Sequence, residues 1–153
     1  MLQPQQKAPL NLMAIRLFWG GLLSSQAIYL LVLTFAAPKE AVGEADLFLK
    51  VIPSLATVFL MMGVFVPRIL WKKMGQKINH ATISNLPEVE LVMTFFPAFI
   101  IRLALFEGIA VLGFALSFMS GRVDYYYAFV SLSAFCFLMN FPTKEKIITC
   151  LKQ

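Results

Sequence analysis

The sequence predicts an all-α integral membrane protein, a four-transmembrane-helix bundle forming a single membrane domain over residues 1–153, with both termini cytoplasmic. Three observations lead there. Of the 153 residues, 59% are hydrophobic and only 14% are charged, where a soluble domain carries about 25% charged residues. The apolar residues fall into four blocks, and crossing a hydrocarbon core about 30 Å thick takes roughly 20 helical residues. The charged residues lie almost entirely between and beyond those blocks. This composition excludes a disordered chain, a nucleic-acid-binding domain and most soluble enzymes. The net charge of +5 fits basic flanks around membrane spans rather than a nucleic-acid footprint.

The first span is read at residues 15–35. It is longer than a signal-peptide core and carries Ser24, Ser25 and Gln26 at its middle, so it is expected to stay as a span and not to be cleaved. Pro38 and Gly43 end it. The second span, 47–71, holds Pro53 and Pro67 about one turn from its ends, where a kink costs less than at the centre. A polar, basic loop follows at 72–86. Asn85 with Glu88 three residues on is a capping-box signal, and Glu88 and Glu90 suit the positive end of a helix. The third apolar stretch would be ~50 Å long as a helix at about 1.5 Å per residue, too long for one crossing. Residues 87–97 are therefore read as an interfacial lead and 98–119 as the span. The fourth span, 125–141, is the shortest and stops at Pro142, after which the tail is expected to return to water.

Basic residues orient the bundle. With the N-terminus inside, Lys7, Arg16, Arg68, Lys72, Lys73, Lys77, Lys144, Lys146 and Lys152 are cytoplasmic, nine in all; Lys39, Lys50 and Arg122, three, are outside; and Arg102 lies in the third span. That is a positive-inside bias, which sets both termini inside; the expected location is a cytoplasmic (inner) membrane. Trp19 and Trp71 then fall near the inner boundary and Tyr125, Tyr126 and Tyr127 at the outer one, as interfacial anchors do. Lys72, Lys73 and Lys77 are expected to lie against anionic lipid headgroups.

Indexing each span by depth gathers polar side chains at one level: Ser24, Ser25 and Gln26, then Thr57, then Glu107, then Ser131 and Ser133. In lipid such groups must find partners within the protein or its assembly. Glu107 is the most informative of them. A charged carboxylate at mid-membrane costs several kcal/mol, roughly, so it must be protonated, paired or wet. Arg102 sits about 140° around the same helix, too far for a pair within it, and can snorkel toward the cytoplasmic boundary. Gln26 lies about 160° around from Ser24 and must face another helix or another subunit. Two chemistries fit. Either Glu107 is a neutral acid hydrogen-bonded to Ser24, Ser25 or Gln26, or a partner of Arg102 on a neighbouring subunit; or it is an exchanging proton or cation site, with Ser24, Ser25, Gln26, Thr57 and Arg102 around it.

Small residues spaced by four let helices approach closely: Gly20 and Ser24, Gly21 and Ser25, Ala104 and Gly108, Gly113 and Ser117. They make the first and third spans the expected close pair. His80 is the only histidine and has no acidic or thiol neighbour at ligand spacing, so no metal or cofactor is expected. Cys136 and Cys150 are read as too far apart in depth to form a disulfide. No nucleophile and base pair can be assigned, which makes an enzyme the least favoured class.

Residues 87–119, PEVELVMTFFPAFIIRLALFEGIAVLGFALSFM, resemble the carboxylate-bearing helix of the proteolipid subunit c of rotary ATP synthases. In that family the helix follows a polar cytoplasmic loop, often opens on a Pro-Glu pair, and carries a mid-membrane carboxylate followed by a small residue. Pro87-Glu88 and Glu107-Gly108 match in order and in direction across the membrane. The resemblance implies that Glu107 is an ion-binding carboxylate. Two functions are thus expected from the sequence. One is a small non-enzymatic packing subunit of a homo-oligomer or larger membrane complex, with the lipid bilayer and other membrane subunits as partners and no nucleic acid; the alternative is proton or cation translocation through Glu107.

Overall fold

The computed structural model describes residues 11–36, 45–76 and 86–152; Lys7, Lys39, Lys77, His80 and Asn85, each named above, lie outside them. The described chain is helical, without strands. α1 spans Leu12–Ala36, α2 Ala45–Gly75, α3 Glu88–Ser120, α4 Asp124–Met139 and α5 Lys144–Leu151. α1, α2 and α3 are long and apolar enough to cross a membrane, whereas α4 is a shorter apolar helix, consistent with a membrane protein. α3 runs unbroken from Glu88 through Pro97 to Ser120, so the lead and the span form one helix. Gly121, at a φ of 67°, ends it in the left-handed conformation that glycine adopts without steric penalty.

α3 is the hub. It packs most extensively on α2 and α4 and less on α1, which corrects the expectation that α1 and α3 form the closest pair. Gly113 and Gly108 explain part of this. A Cβ at Gly113 would come within 2.4 Å of the Phe129 Cβ on α4, and one at Gly108 within 2.6 Å of the Phe59 ring on α2. Gly20 and Gly21 on α1 meet nothing within 4 Å, and Ala104 is exposed. The small-residue spacing therefore marks close approach on α3 but not on α1. Half of the apolar stretch of α3 is buried, against 11% of that of α1 and 17% of that of α2. The outward faces of α1 and α2 carry Leu17, Ile28, Leu31, Phe35, Met61 and Phe65, all more than half exposed, an exterior suited to lipid.

The direction of the helices alternates. The Leu12 N–H at the start of α1 donates to Glu88 Oε1 at the start of α3 (3.3 Å), and the Arg16 guanidinium donates to the Pro142 carbonyl just past α4 (3.3 Å). The starts of α1 and α3, the ends of α2 and α4, and α5 therefore share one end of the bundle. The tail does not simply return to water. Thr143 caps α5 by accepting from the Lys146 N–H, and Ile147, Cys150 and Leu151 are buried against the bundle. Gly75 makes this docking feasible, since a Cβ there would lie 1.9 Å from the Leu151 carbonyl oxygen. Because α5 folds back, Cys150 comes to border the same cavity as Cys136, and both are free thiols. Trp71 is likewise no lipid anchor. It is 1% exposed, stacks on Phe95 with ring centres 4.9 Å apart, and its indole N–H donates to the Phe95 carbonyl.

Candidate functional site

A helix in lipid satisfies its own backbone, so a polar side chain on it bonds either within its own helix or across to another. Hydroxyls do the first easily. Ser24 donates to the Gly20 carbonyl, Thr57 to Pro53 and Ser131 to Tyr127, each four residues back, and all three side chains are exposed. The structure thus takes these three out of the shared polar layer. A glutamine or glutamate has no such local option of equal quality and must look outward.

Gln26 and Glu107 look toward each other. Glu107 Oε1 is 2.5 Å from Ser25 Oγ and its Oε2 accepts from the Gln26 side-chain amide at 3.2 Å. The same Gln26 nitrogen donates to Ser133 Oγ on α4 at 2.7 Å, and Ser133 in turn donates to the Phe106 carbonyl on α3 at 2.8 Å. The Tyr126 hydroxyl, from α4, donates to the Gln26 carbonyl, and Tyr29, one turn beyond Ser25, lies near Glu107 and Ser25. α1, α3 and α4 are therefore joined at one level by a continuous polar chain. Gln26 and Ser133 are 4% and 0% exposed, and Glu107 8%. Tyr29 and Tyr126 belong to this cluster although the sequence reading did not place them in it. Tyr29 could have been found from its i+4 relation to Ser25.

Arg102 takes no part in this cluster. Its Nε donates to the Gly63 carbonyl on α2 at 3.1 Å and its Nη1 to Asn140 Oδ1 at the end of α4 at 2.8 Å, while the guanidinium lies 4.4 Å from the centre of the Trp71 ring. The Gly63 carbonyl is available for a local reason. Residue 67 should donate an N–H to it, and residue 67 is Pro67, which has none. Asn140, meanwhile, donates to the Cys136 carbonyl at 2.7 Å, satisfying an open carbonyl in the last turn of α4. Arg102 thus ties a proline-freed carbonyl on α2 to a helix cap on α4.

Glu107 also borders a cavity of about 340 Å³ whose other walls are apolar, among them Phe18, Leu22, Phe59 and Val111. Elsewhere, Ser117 is the one described buried side chain with an unpartnered polar atom. Lys72 and Lys73 are exposed at the basic end. Among the described residues no three His, Cys, Asp or Glu side chains gather as metal ligands would. Compared with known proteins, the chain matches no family model, no curated protein and no solved structure.

Proposed function

We propose that the chain is a four-span protein of a cytoplasmic membrane with both termini inside, acting as a non-enzymatic packing subunit of a homo-oligomer or larger membrane complex. The observation that carries this reading is the outer face of α1. Leu17, Gly21, Ser24, Ile28 and Leu31 lie along one side, all exposed, and nothing lies within 4 Å of a Cβ at Gly21. A notch of small residues between large apolar ones is where a second helix can approach in lipid. The Glu107 cluster holds this helix in register from behind, so its outward face is presented rather than mobile. α4, at 16 residues, is just under the roughly 17 residues that mark the lower bound for a span, and the four-span reading has it cross together with the turn that follows it.

Gly21→Leu tests the packing reading. Gly21 is exposed and a Cβ there has nothing within 4 Å, and the substitution adds helix propensity, about 1 kcal/mol for replacing a glycine, so the monomer fold should persist. The expected result is loss of the oligomer by light scattering of the purified protein in neutral detergent. An unchanged mass would refute α1 as the contact face.

A second reading, proton or cation translocation, draws on two features. Glu107 borders a cavity, and Ser25 Oγ lies within reach of both Glu107 and the Leu22 carbonyl, at 2.5 and 2.6 Å. A hydroxyl has one proton, so when Ser25 donates to Leu22 only a protonated Glu107 completes the contact. The likeness to the proteolipid helix supports the same reading. Against it stands the apolar lining of the cavity, which offers an ion no ligand but Glu107. Glu107→Gln, reconstituted into liposomes beside the parent protein, separates the two. Equal proton leak in both, with no labelling of Glu107 by a hydrophobic carbodiimide, leaves the packing role; flux lost only in the variant establishes transport.

A further inference from the structure

A second cavity, of about 490 Å³, opens at the end of the bundle that holds α5, between α2, α3, α4 and α5. Among the described residues three cations border it, Arg68, Arg102 and Lys146, and no aspartate or glutamate does. Each has unused capacity. Arg102 is 8% exposed, and among the described residues only two of its donors, Nε and one on Nη1, are taken, out of about five that a guanidinium carries. Lys146 donates to the Met139 carbonyl; burial pulls its amine below the ordinary lysine value, and the Arg102 charge adds to that. Arg68 is exposed and makes no hydrogen bond or ion pair with a described residue.

Uncompensated charge held away from water is costly; here the buried Arg102 and the half-buried Lys146 hold it, and the exposed Arg68 converges on the same space. The deficit is removed by an anion. Guanidinium forks and an ammonium together suit a tetrahedral oxyanion, which accepts several charge-assisted hydrogen bonds at once. Trp71, Phe135 and Met139 complete the wall, giving an apolar flank beside the charged end. We propose that this cavity is a phosphate-binding site with Arg68, Arg102 and Lys146 as its ligands, filled by the headgroup of an anionic phospholipid or by free phosphate. It is separate from the Glu107 cluster and from the exposed pair Lys72 and Lys73, neither of which borders it.

The test uses the full chain with Arg68→Gln/Lys146→Gln as the cavity variant and Lys72→Gln/Lys73→Gln as the surface control, leaving the structural Arg102 intact. In one arm, each protein is exchanged into detergent containing phosphatidylglycerol and phosphatidylcholine, and retained lipid is read by native mass spectrometry. In the other, inorganic phosphate is titrated into delipidated protein against chloride at equal ionic strength, and the melting temperature is read. The cavity variant should retain phosphatidylglycerol about tenfold more weakly than the parent, or lose the phosphate-induced rise in melting temperature, while the control keeps both. Lipid retention, with or without a phosphate response, assigns the headgroup; a phosphate response alone assigns the free anion. Absence of both in the parent overturns the proposal, as does equal loss in control and cavity variants. Should the double variant fail to fold, Arg68→Gln alone reads the same outcomes, since Arg68 makes no hydrogen bond or ion pair with a described residue.

Discussion

Glu107→Leu lowers the stability of the folded bundle by about 2–3 kcal/mol, whereas Glu107→Gln stays within about 1 kcal/mol of the parent. Leucine fills a similar volume, so the loss is one of hydrogen bonding. The buried Gln26 amide loses the acceptor at 3.2 Å, and Ser25 loses the one at 2.5 Å. A buried donor without a partner costs about 1–3 kcal/mol, while hydrogen bonds between membrane helices average about 0.6 kcal/mol and reach about 1.7. The glutamine variant keeps an acceptor for Gln26 and presents an amide that Ser25 Oγ can accept. Reversible unfolding by SDS titration in bicelles gives the free energies. Trp19 reports where the damage falls, because its indole N–H donates to the Phe137 carbonyl on α4 at 3.0 Å and its ring meets Phe141 edge-on. In a Trp71→Phe background, its emission should shift to the red in the leucine variant as α1 loosens. A leucine variant as stable as the parent would show that the cluster does not hold α1.

How much of this was legible in the sequence depends on which coordinate the pattern encodes. Depth is encoded well: counting from span ends put Ser25, Gln26, Glu107 and Ser133 at one level, and they do meet. Azimuth is encoded poorly, because at one depth a hydroxyl can turn back to the carbonyl four residues earlier, as Ser24, Thr57 and Ser131 do. That local alternative is invisible to a count of polar residues. Small-residue spacing failed on α1 for a related reason. It states that a close approach is possible on a face without saying that another element lies there, and Gly20 and Gly21 have nothing opposite. The α5 helix carried signals that the charge of TKEKIITCLKQ masked: Thr143 as a cap and Ile147, Ile148 and Leu151 at helical spacing. The role of Arg102 was also written in the sequence. A proline inside a span frees the carbonyl four residues before it, and a buried arginine needs acceptors. Pro67, Gly63 and Arg102 supply both halves, but only the packing of α2 on α3 brings them together.

That pairing yields a prediction of comparable size with a built-in control. Arg102→Leu should cost about 3 kcal/mol: the buried Gly63 carbonyl loses its only side-chain donor, Asn140 Oδ1 loses another, and the stack on Trp71 goes, such terms running to about 1–3 kcal/mol for a stranded buried group and about 1–2 for a desolvated cation–π contact. Release of the desolvation penalty of a buried guanidinium works in the opposite direction and keeps the total below the simple sum. Arg102→Lys should recover less than half, since one ammonium cannot reach two acceptors on different helices and also lie flat on an indole. The decisive measurement is the double variant. Pro67→Ala restores the backbone N–H that an α-helix directs at Gly63, so the carbonyl stranded by Arg102→Leu regains a donor from its own helix. Pro67→Ala should therefore stabilise the Arg102→Leu protein by about 1–2 kcal/mol more than it stabilises the parent, a coupling well above the roughly 0.3–0.5 kcal/mol within which independent sites add. Additive effects would mean that Arg102 acts through Asn140 and Trp71 alone and that the proline-freed carbonyl contributes nothing to holding α2 against α3.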